Sequence, residues 1–97
     1  MSYRIRIEQP ALKEIKALPS YVRAQAEILI AALSSDPRPQ RSRELQGKPG
    51  VYRLWLAGRW RIVYEVIDDS RVVYIIRVRR KEQVDYESNT SRTQPDE

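Results

Sequence analysis

Ninety-seven residues carrying 41% apolar side chains and a net charge of +5 bound the chain to one small basic domain. The absence of cysteine and histidine excludes a disulfide framework and a thiolate site, and removes the commonest metal ligand and neutral-pH base. No apolar run reaches membrane-spanning length, and Met1-Ser2-Tyr3-Arg4 leads into strand-like alternation without a signal-peptide core, so a cytoplasmic protein is expected.

Tyr3, Ile5 and Ile7 alternate with Arg4, Arg6 and Glu8, which predicts a first strand over residues 3–8. Pro10 suits the first turn of a helix in which Leu12, Ile15 and Leu18 supply the apolar stripe. That helix should stop near Leu18, because Pro19 disfavours helical geometry in the residue before it. Ser20 is the expected N-cap of a second helix, with Val22, Ala26, Leu29 and Leu33 on its buried face, Ile30 widening it, and Asp36-Pro37 at its end. The two helices read as a hairpin laid over the apolar side of a sheet.

Residues 37–49 read as a loop containing Arg38, Arg41, Arg43 and Lys48. It is either an ordinary solvated connection or a set of phosphate-backbone contacts. Three strand-like runs follow, Val51–Leu56, Trp60–Ile67 and Val72–Arg79, rich in Val, Ile, Tyr and Trp. Strand alternation puts Tyr52, Leu54 and Leu56 on one face and Arg53 and Trp55 on the other. In the second run Trp60, Ile62, Tyr64 and Val66 oppose Arg59, Arg61, Val63 and Glu65. In the third, Val72, Tyr74, Ile76 and Val78 oppose Val73, Ile75, Arg77 and Arg79.

One buried side requires the three apolar faces to coincide, which fixes the register. A three-residue loop, Ala57–Arg59, pairs Leu56 with Trp60 and Leu54 with Ile62. A loop of Asp68-Asp69-Ser70 then pairs Val66 with Val72. In that register Trp55, Arg61 and Arg77 form one cross-strand row, Arg53, Val63 and Ile75 the next, and Arg59 faces Arg79.

Charge follows the same layout. Residues 38–81 hold twelve Lys/Arg against four Asp/Glu, whereas residues 82–97 hold one against five. Like charges side by side on a sheet destabilise it by a few tenths to roughly 1 kcal/mol per pair. Such a face suits a polyanion, nucleic acid above all, or an acidic protein segment. Val84 and Tyr86 are expected to anchor a last turn. Residues 1–87 should form the domain, and residues 88–97, Ser-Asn-Thr-Ser-Arg-Thr-Gln-Pro-Asp-Glu, a disordered polar tail.

The ordered set of features resembles the RelE/ParE superfamily of bacterial toxins, in its RelE branch. The residues that carry the resemblance are Tyr3-Arg4-Ile5, Ala17-Leu18-Pro19, Asp36-Pro37, Glu44-Leu45-Gln46-Gly47 and Val51-Tyr52-Arg53-Leu54. With them stand Gly58-Arg59-Trp60-Arg61-Ile62-Val63-Tyr64-Glu65-Val66 and the basic cluster Arg79–Lys81. The resemblance implies an α+β fold with an N-terminal strand, a helical hairpin and a three-stranded antiparallel meander. Helices cover one face of the sheet and a basic open face forms the other. It further implies a toxin of a type II toxin-antitoxin system, a metal-free and cofactor-free messenger RNA endoribonuclease that acts on the ribosome and is neutralised by a cognate antitoxin.

Carried over residue by residue, the resemblance implies catalytic roles for Arg53, Arg61, Tyr86 and one of Arg80 and Lys81. Arg61, backed by Arg77, would clamp the scissile phosphate, because guanidinium matches phosphate oxygens bidentately. Arg53 would support the 2′-oxygen or the phosphate, Lys81 or Arg80 the leaving oxygen. Tyr86 would move a proton or stack on a base. Trp55 stands where the family has a second basic residue, and would either stack a base or plug the open face. Arg79-Arg80 replaces the family's glycine-plus-basic pair. Arg41, Arg43, Lys48, Arg59 and Arg79 complete the expected RNA contacts. Two alternatives share the fold: a ParE-like gyrase inhibitor, and a decayed toxin that only binds its antitoxin.

Overall fold

The structure, a computed structural model, describes residues 2–81. Val84, Tyr86, the domain boundary at 87 and the tail lie outside the described residues. The element order is β1 (Arg4–Ile7), α1 (Gln9–Lys16), α2 (Ser20–Ala32), β2 (Arg43–Glu44), β3 (Val51–Leu56), β4 (Trp60–Ile67) and β5 (Val72–Arg80). The strands form one sheet in the order β1-β5-β4-β3-β2, parallel between β1 and β5 and antiparallel elsewhere. This is the expected α+β plan with one strand more. Arg43–Glu44 leaves the predicted loop to pair with Tyr52 and Arg53.

Both helices begin without a side-chain cap. Pro19, not Ser20, occupies the N-cap of α2, and its carbonyl accepts the Val22 and Arg23 N–H groups. Proline lacks the N–H that a longer helix would need there, and its extended ψ of 148° separates α2 from α1, which ends at Lys16. Val22, Ala26, Ile30 and Leu33 are buried at intervals of three and four residues, and Leu29 is half-buried beside them. From the sheet, Leu54, Leu56, Ile62, Tyr64, Val73, Ile75 and Val78 complete the core, each 2% exposed or less. Burying each such side chain contributes ~1.5–3 kcal/mol.

The β3–β4 hairpin has the expected register, with Leu56 opposite Trp60 and Tyr52 opposite Tyr64. Its turn places Ala57 (φ 53°) and Gly58 (φ 75°) in the left-handed region, where glycine is at ease and alanine is strained. The β4–β5 hairpin departs from expectation. Its turn takes four residues, Asp68–Arg71, so Val66 pairs with Val73 and Ile67 with Val72. A bulge then leaves Ile76 outside the pairing, between Tyr64↔Ile75 and Val63↔Arg77. The core face of β5 is therefore Val73, Ile75 and Val78, and the expected Tyr74 and Ile76 lie off it. The bulge changes phase inside Ile75-Ile76, so apolar residues face the core on both sides of it.

Candidate active site

The bulge decides which cations meet. Downstream of it Arg61 pairs with Arg79, and Val63 with Arg77. The cross-strand rows on the open face are thus Trp55, Arg61, Arg79 and, one step along, Arg43, Arg53, Val63, Arg77. The expected row of Trp55, Arg61 and Arg77 is corrected by one pair. Further along the face Glu65 and Tyr74 stand opposite each other, so the basic residues segregate to the end of the sheet beside the β3–β4 turn.

Trp55 is the hub of that end. The Arg61 guanidinium carbon lies 4.9 Å from its ring centroid, the Arg53 guanidinium carbon 5.8 Å and the Lys81 ammonium nitrogen 5.7 Å. Each cation–ring contact is worth ~0.5–2 kcal/mol. The indole face thereby holds three like charges that would otherwise repel. Lys81 follows β5 directly, and its backbone N–H donates to the Arg59 carbonyl at 2.8 Å, which ties it to the neighbouring turn. Arg61 is 5% exposed and is the one charged side chain among the buried described residues. Cations held this close, two on strands and the third directly after one, form a positive field that an anion with several oxygens would complete.

The flanking cations are placed differently. Arg77 donates through Nη2 to Glu14 Oε2 at 2.9 Å, and Arg79 Nε lies 3.2 Å from the same oxygen. Glu14 Oε1 accepts the Val78 N–H at 2.7 Å. Arg80 is on the opposite side of β5, its guanidinium carbon 5.6 Å from the Trp60 ring centroid. Arg59 is exposed in the β3–β4 turn, and Arg41 lines a shallow cleft with Trp55, Gln25, Ile28 and Leu29. Arg43 stands opposite Arg53 and donates to the Ser42 carbonyl at 3.3 Å. Lys48 is exposed in the turn before β3, at the end of that strand away from Trp55. Tyr86 lies outside the described residues.

The structure therefore brings Arg53, Arg61, Lys81 and Trp55 together and sets Arg80 apart. Glu14 is the participant that sequence reasoning missed. Its only signal is position: it lies three residues after Ala11 and directly before Ile15, on the flank of the buried stripe of α1.

A second polar network braces the other end of the sheet. Asp68 accepts from Tyr3 Oη at 2.7 Å and from Arg38 Nη2 at 2.8 Å, while Arg38 Nε donates to Tyr52 Oη at 2.8 Å. The Arg38 bond, then the Tyr3 bond, holds the Asp68 carboxyl below its ordinary range, and the Asp68 bond raises the Tyr3 hydroxyl. Tyr52 stacks on Tyr64 with ring centroids 5.8 Å apart, and Tyr64 donates to the Pro37 carbonyl at 2.9 Å. Burial pushes the Tyr64 hydroxyl up. This network joins β1, the segment after α2, β3 and the β4–β5 turn, and it holds the sheet that carries the cations. Among the described residues no cluster of three His, Cys, Asp or Glu could hold a metal ion, and no helix is long and apolar enough to cross a membrane.

Comparison with known proteins matches the sequence and the fold. The family model described as ParE toxin of type II toxin-antitoxin system, parDE, matches residues 5–85. The mRNA interferase toxin RelE of Escherichia coli (strain K12) is 35% identical over 83 residues, 84% of this chain and 86% of that protein. A double-arginine mutant of E. coli toxin RelE in the free state superposes with a TM-score of 0.76 at 32% identity, covering 97% of this chain and 100% of that one. RelE in the intact E. coli RelBE toxin-antitoxin complex gives 0.73 at 34% identity, covering 81% and 96%. The chain belongs to the RelE/ParE superfamily of type II toxin-antitoxin toxins.

Proposed function

We propose that this toxin is an mRNA interferase, an endoribonuclease that cuts ribosome-bound message without a metal or cofactor and is silenced by a cognate antitoxin in the cytoplasm. The observation that carries the reading is the convergence of Arg53, Arg61 and Lys81 on Trp55. The relative at 35% identity bears the name mRNA interferase.

In the reaction the ribose 2′-oxygen attacks the adjacent phosphorus, the bond from phosphorus to the 5′-oxygen breaks, and a cyclic phosphate remains. The 2′-hydroxyl loses a proton and the 5′-oxygen gains one. Negative charge builds on the non-bridging oxygens, where Arg61 and Arg53 stabilise it; one such donor is commonly worth 10²–10³ in rate. Lys81, at the edge of the cluster, offers an ammonium proton to the leaving oxygen. Arginine stays protonated and is a poor base. Glu14 is committed to Arg77, Arg79 and Val78. Tyr86 is assigned the proton-shuttling or base-stacking role. With charge stabilisation dominant and no strong base in the cluster, orientation of the message by the ribosome supplies several kcal/mol of the barrier. Naked RNA is then a poor substrate.

The antitoxin would meet the same face, offering acidic and apolar side chains to the cations and to Trp55. Primer extension on messages from cells expressing the toxin alone tests the reading. Breaks confined to translated message are expected. Gyrase-dependent DNA breaks without message cleavage would assign the chain to a ParE-like activity, and the absence of any growth defect would mark a toxin that only binds its antitoxin.

A further inference from the structure

β1 accompanies β5 only from Val72 to Ile75. Beyond that point the outer edge of β5 has no partner strand among the described residues, yet this is the stretch that delivers Lys81 to Trp55. Glu14 of α1 fills the gap. Its Oε1 accepts the edge N–H of Val78 at 2.7 Å, as a strand carbonyl would. Its Oε2 takes Arg77 Nη2 at 2.9 Å and Nε at 3.2 Å, and Arg79 Nε at 3.2 Å. Arg79 is the cross-strand neighbour of Arg61.

Resting on the function proposed above, we infer that Glu14 is a positioning residue for the cleavage site, acting in two ways. It offsets the charge of Arg77 and Arg79, so a phosphate is drawn to Arg61, Arg53 and Lys81 and not to competing guanidinium groups one strand away. It also pins the end of β5. The Glu14–Val78 bond holds one edge and the bond from Lys81 N–H to the Arg59 carbonyl holds the other. These bonds set where the Lys81 backbone leaves the strand, and from there its ammonium group reaches the Trp55 ring that Arg61 also contacts. Side-chain exposures of 22% for Glu14 and 18% for Arg79 keep their pairing partly shielded from water and salt.

The test is Glu14→Gln, which keeps an acceptor for Val78 and removes the charge. Affinity for a 2′-O-methylated single-stranded RNA oligonucleotide, which cannot be cut, is measured against salt concentration. Each additional phosphate contact steepens the log–log slope by ~0.7, so removing the Glu14 charge from Arg77 and Arg79 should steepen it by ~0.7–1.4. On programmed ribosomes kcat should fall about tenfold with KM unchanged or lower. Adding Glu14→Gln to an Arg77→Gln/Arg79→Gln protein should leave the slope unchanged. A purely structural role would not produce that dependence.

A folded Glu14→Gln protein with the wild-type salt slope overturns the inference. The Arg77→Gln/Arg79→Gln protein decides independently if Glu14→Gln fails to fold: its slope should lie close to wild type, and a loss of ~1.4 or more would show those charges already engaging RNA. A wild-type protein that binds the oligonucleotide but cuts no message refutes the proposed function, while the slopes still decide the role of Glu14.

Discussion

Arg61 and Trp55 stand directly opposite each other on β4 and β3, with the guanidinium carbon 4.9 Å from the ring centroid. The pairing holds the guanidinium proposed to bind phosphate against an aromatic platform. The platform also carries Arg53 and Lys81, so its removal loosens three cations at once. Trp55→Ala should weaken binding of uncleavable RNA by about 1–3 kcal/mol, a scale set by base stacking. Trp55→Phe should recover much of the loss. Fluorescence anisotropy at one fixed salt concentration measures both.

Lys81 and Arg80 are neighbours in sequence with opposite placements, one on Trp55 and the other on Trp60. Lys81→Ala should lower kcat for ribosome-dependent cleavage by tenfold or more, while its stability falls only by the ~0.5–1 kcal/mol of one cation–ring contact with Trp55. Arg80→Ala should lose a similar ~0.5–1 kcal/mol of unfolding free energy through the Trp60 contact and spare kcat. Equal kinetic losses in the two variants would refute this division.

The Asp68 network gives stability a pH dependence. The folded-state carboxyl titrates below its ordinary value of 3.8, with the Arg38 bond the largest cause. Its contribution is present above that value and is lost as pH falls through the folded one. Tyr3 is raised from 10.0, chiefly by its bond to Asp68, so its contribution is present below 10.0 and is lost as pH rises through the folded value. The Tm difference between wild type and Asp68→Asn should therefore be largest between 3.8 and 10.0 and shrink beyond either value. Thermal melts across pH measure it. A difference that grows as the pH drops below 3.8 would contradict this account.

Strict alternation made β3 and β4 legible in the sequence, since only one phase buries Leu54, Leu56, Ile62 and Tyr64 together. The apolar doublets Val72-Val73 and Ile75-Ile76 satisfy either phase, and only packing against β1 and β4 selects a bulge that uses both. β2 is two residues long, too short to carry a periodic signal. Its pairing is set by the turn through residues 45–50, in which the Glu44 carboxylate accepts the Gly50 N–H at 2.8 Å. Glu14 was invisible for a related reason: the strand edge that it caps exists only because β1 ends at Ile7 while β5 runs on to Arg80. Arg53, Arg61 and Trp55 were legible as a group because the β3–β4 register follows from the core, whereas the different placements of Arg80 and Lys81 depend on where β5 ends.

In the proposed reaction, guanidinium charge held on Trp55 stabilises the breaking phosphodiester. Cleavage of message on purified ribosomes, mapped by primer extension, tests it with wild-type and Arg61→Ala proteins matched for fold by amide NMR spectra. Wild type should cut the programmed message, and Arg61→Ala should cut it about 10²–10³-fold more slowly, the usual cost of one oxyanion donor. A folded Arg61→Ala protein that cuts at the wild-type rate would rule out phosphate stabilisation by Arg61.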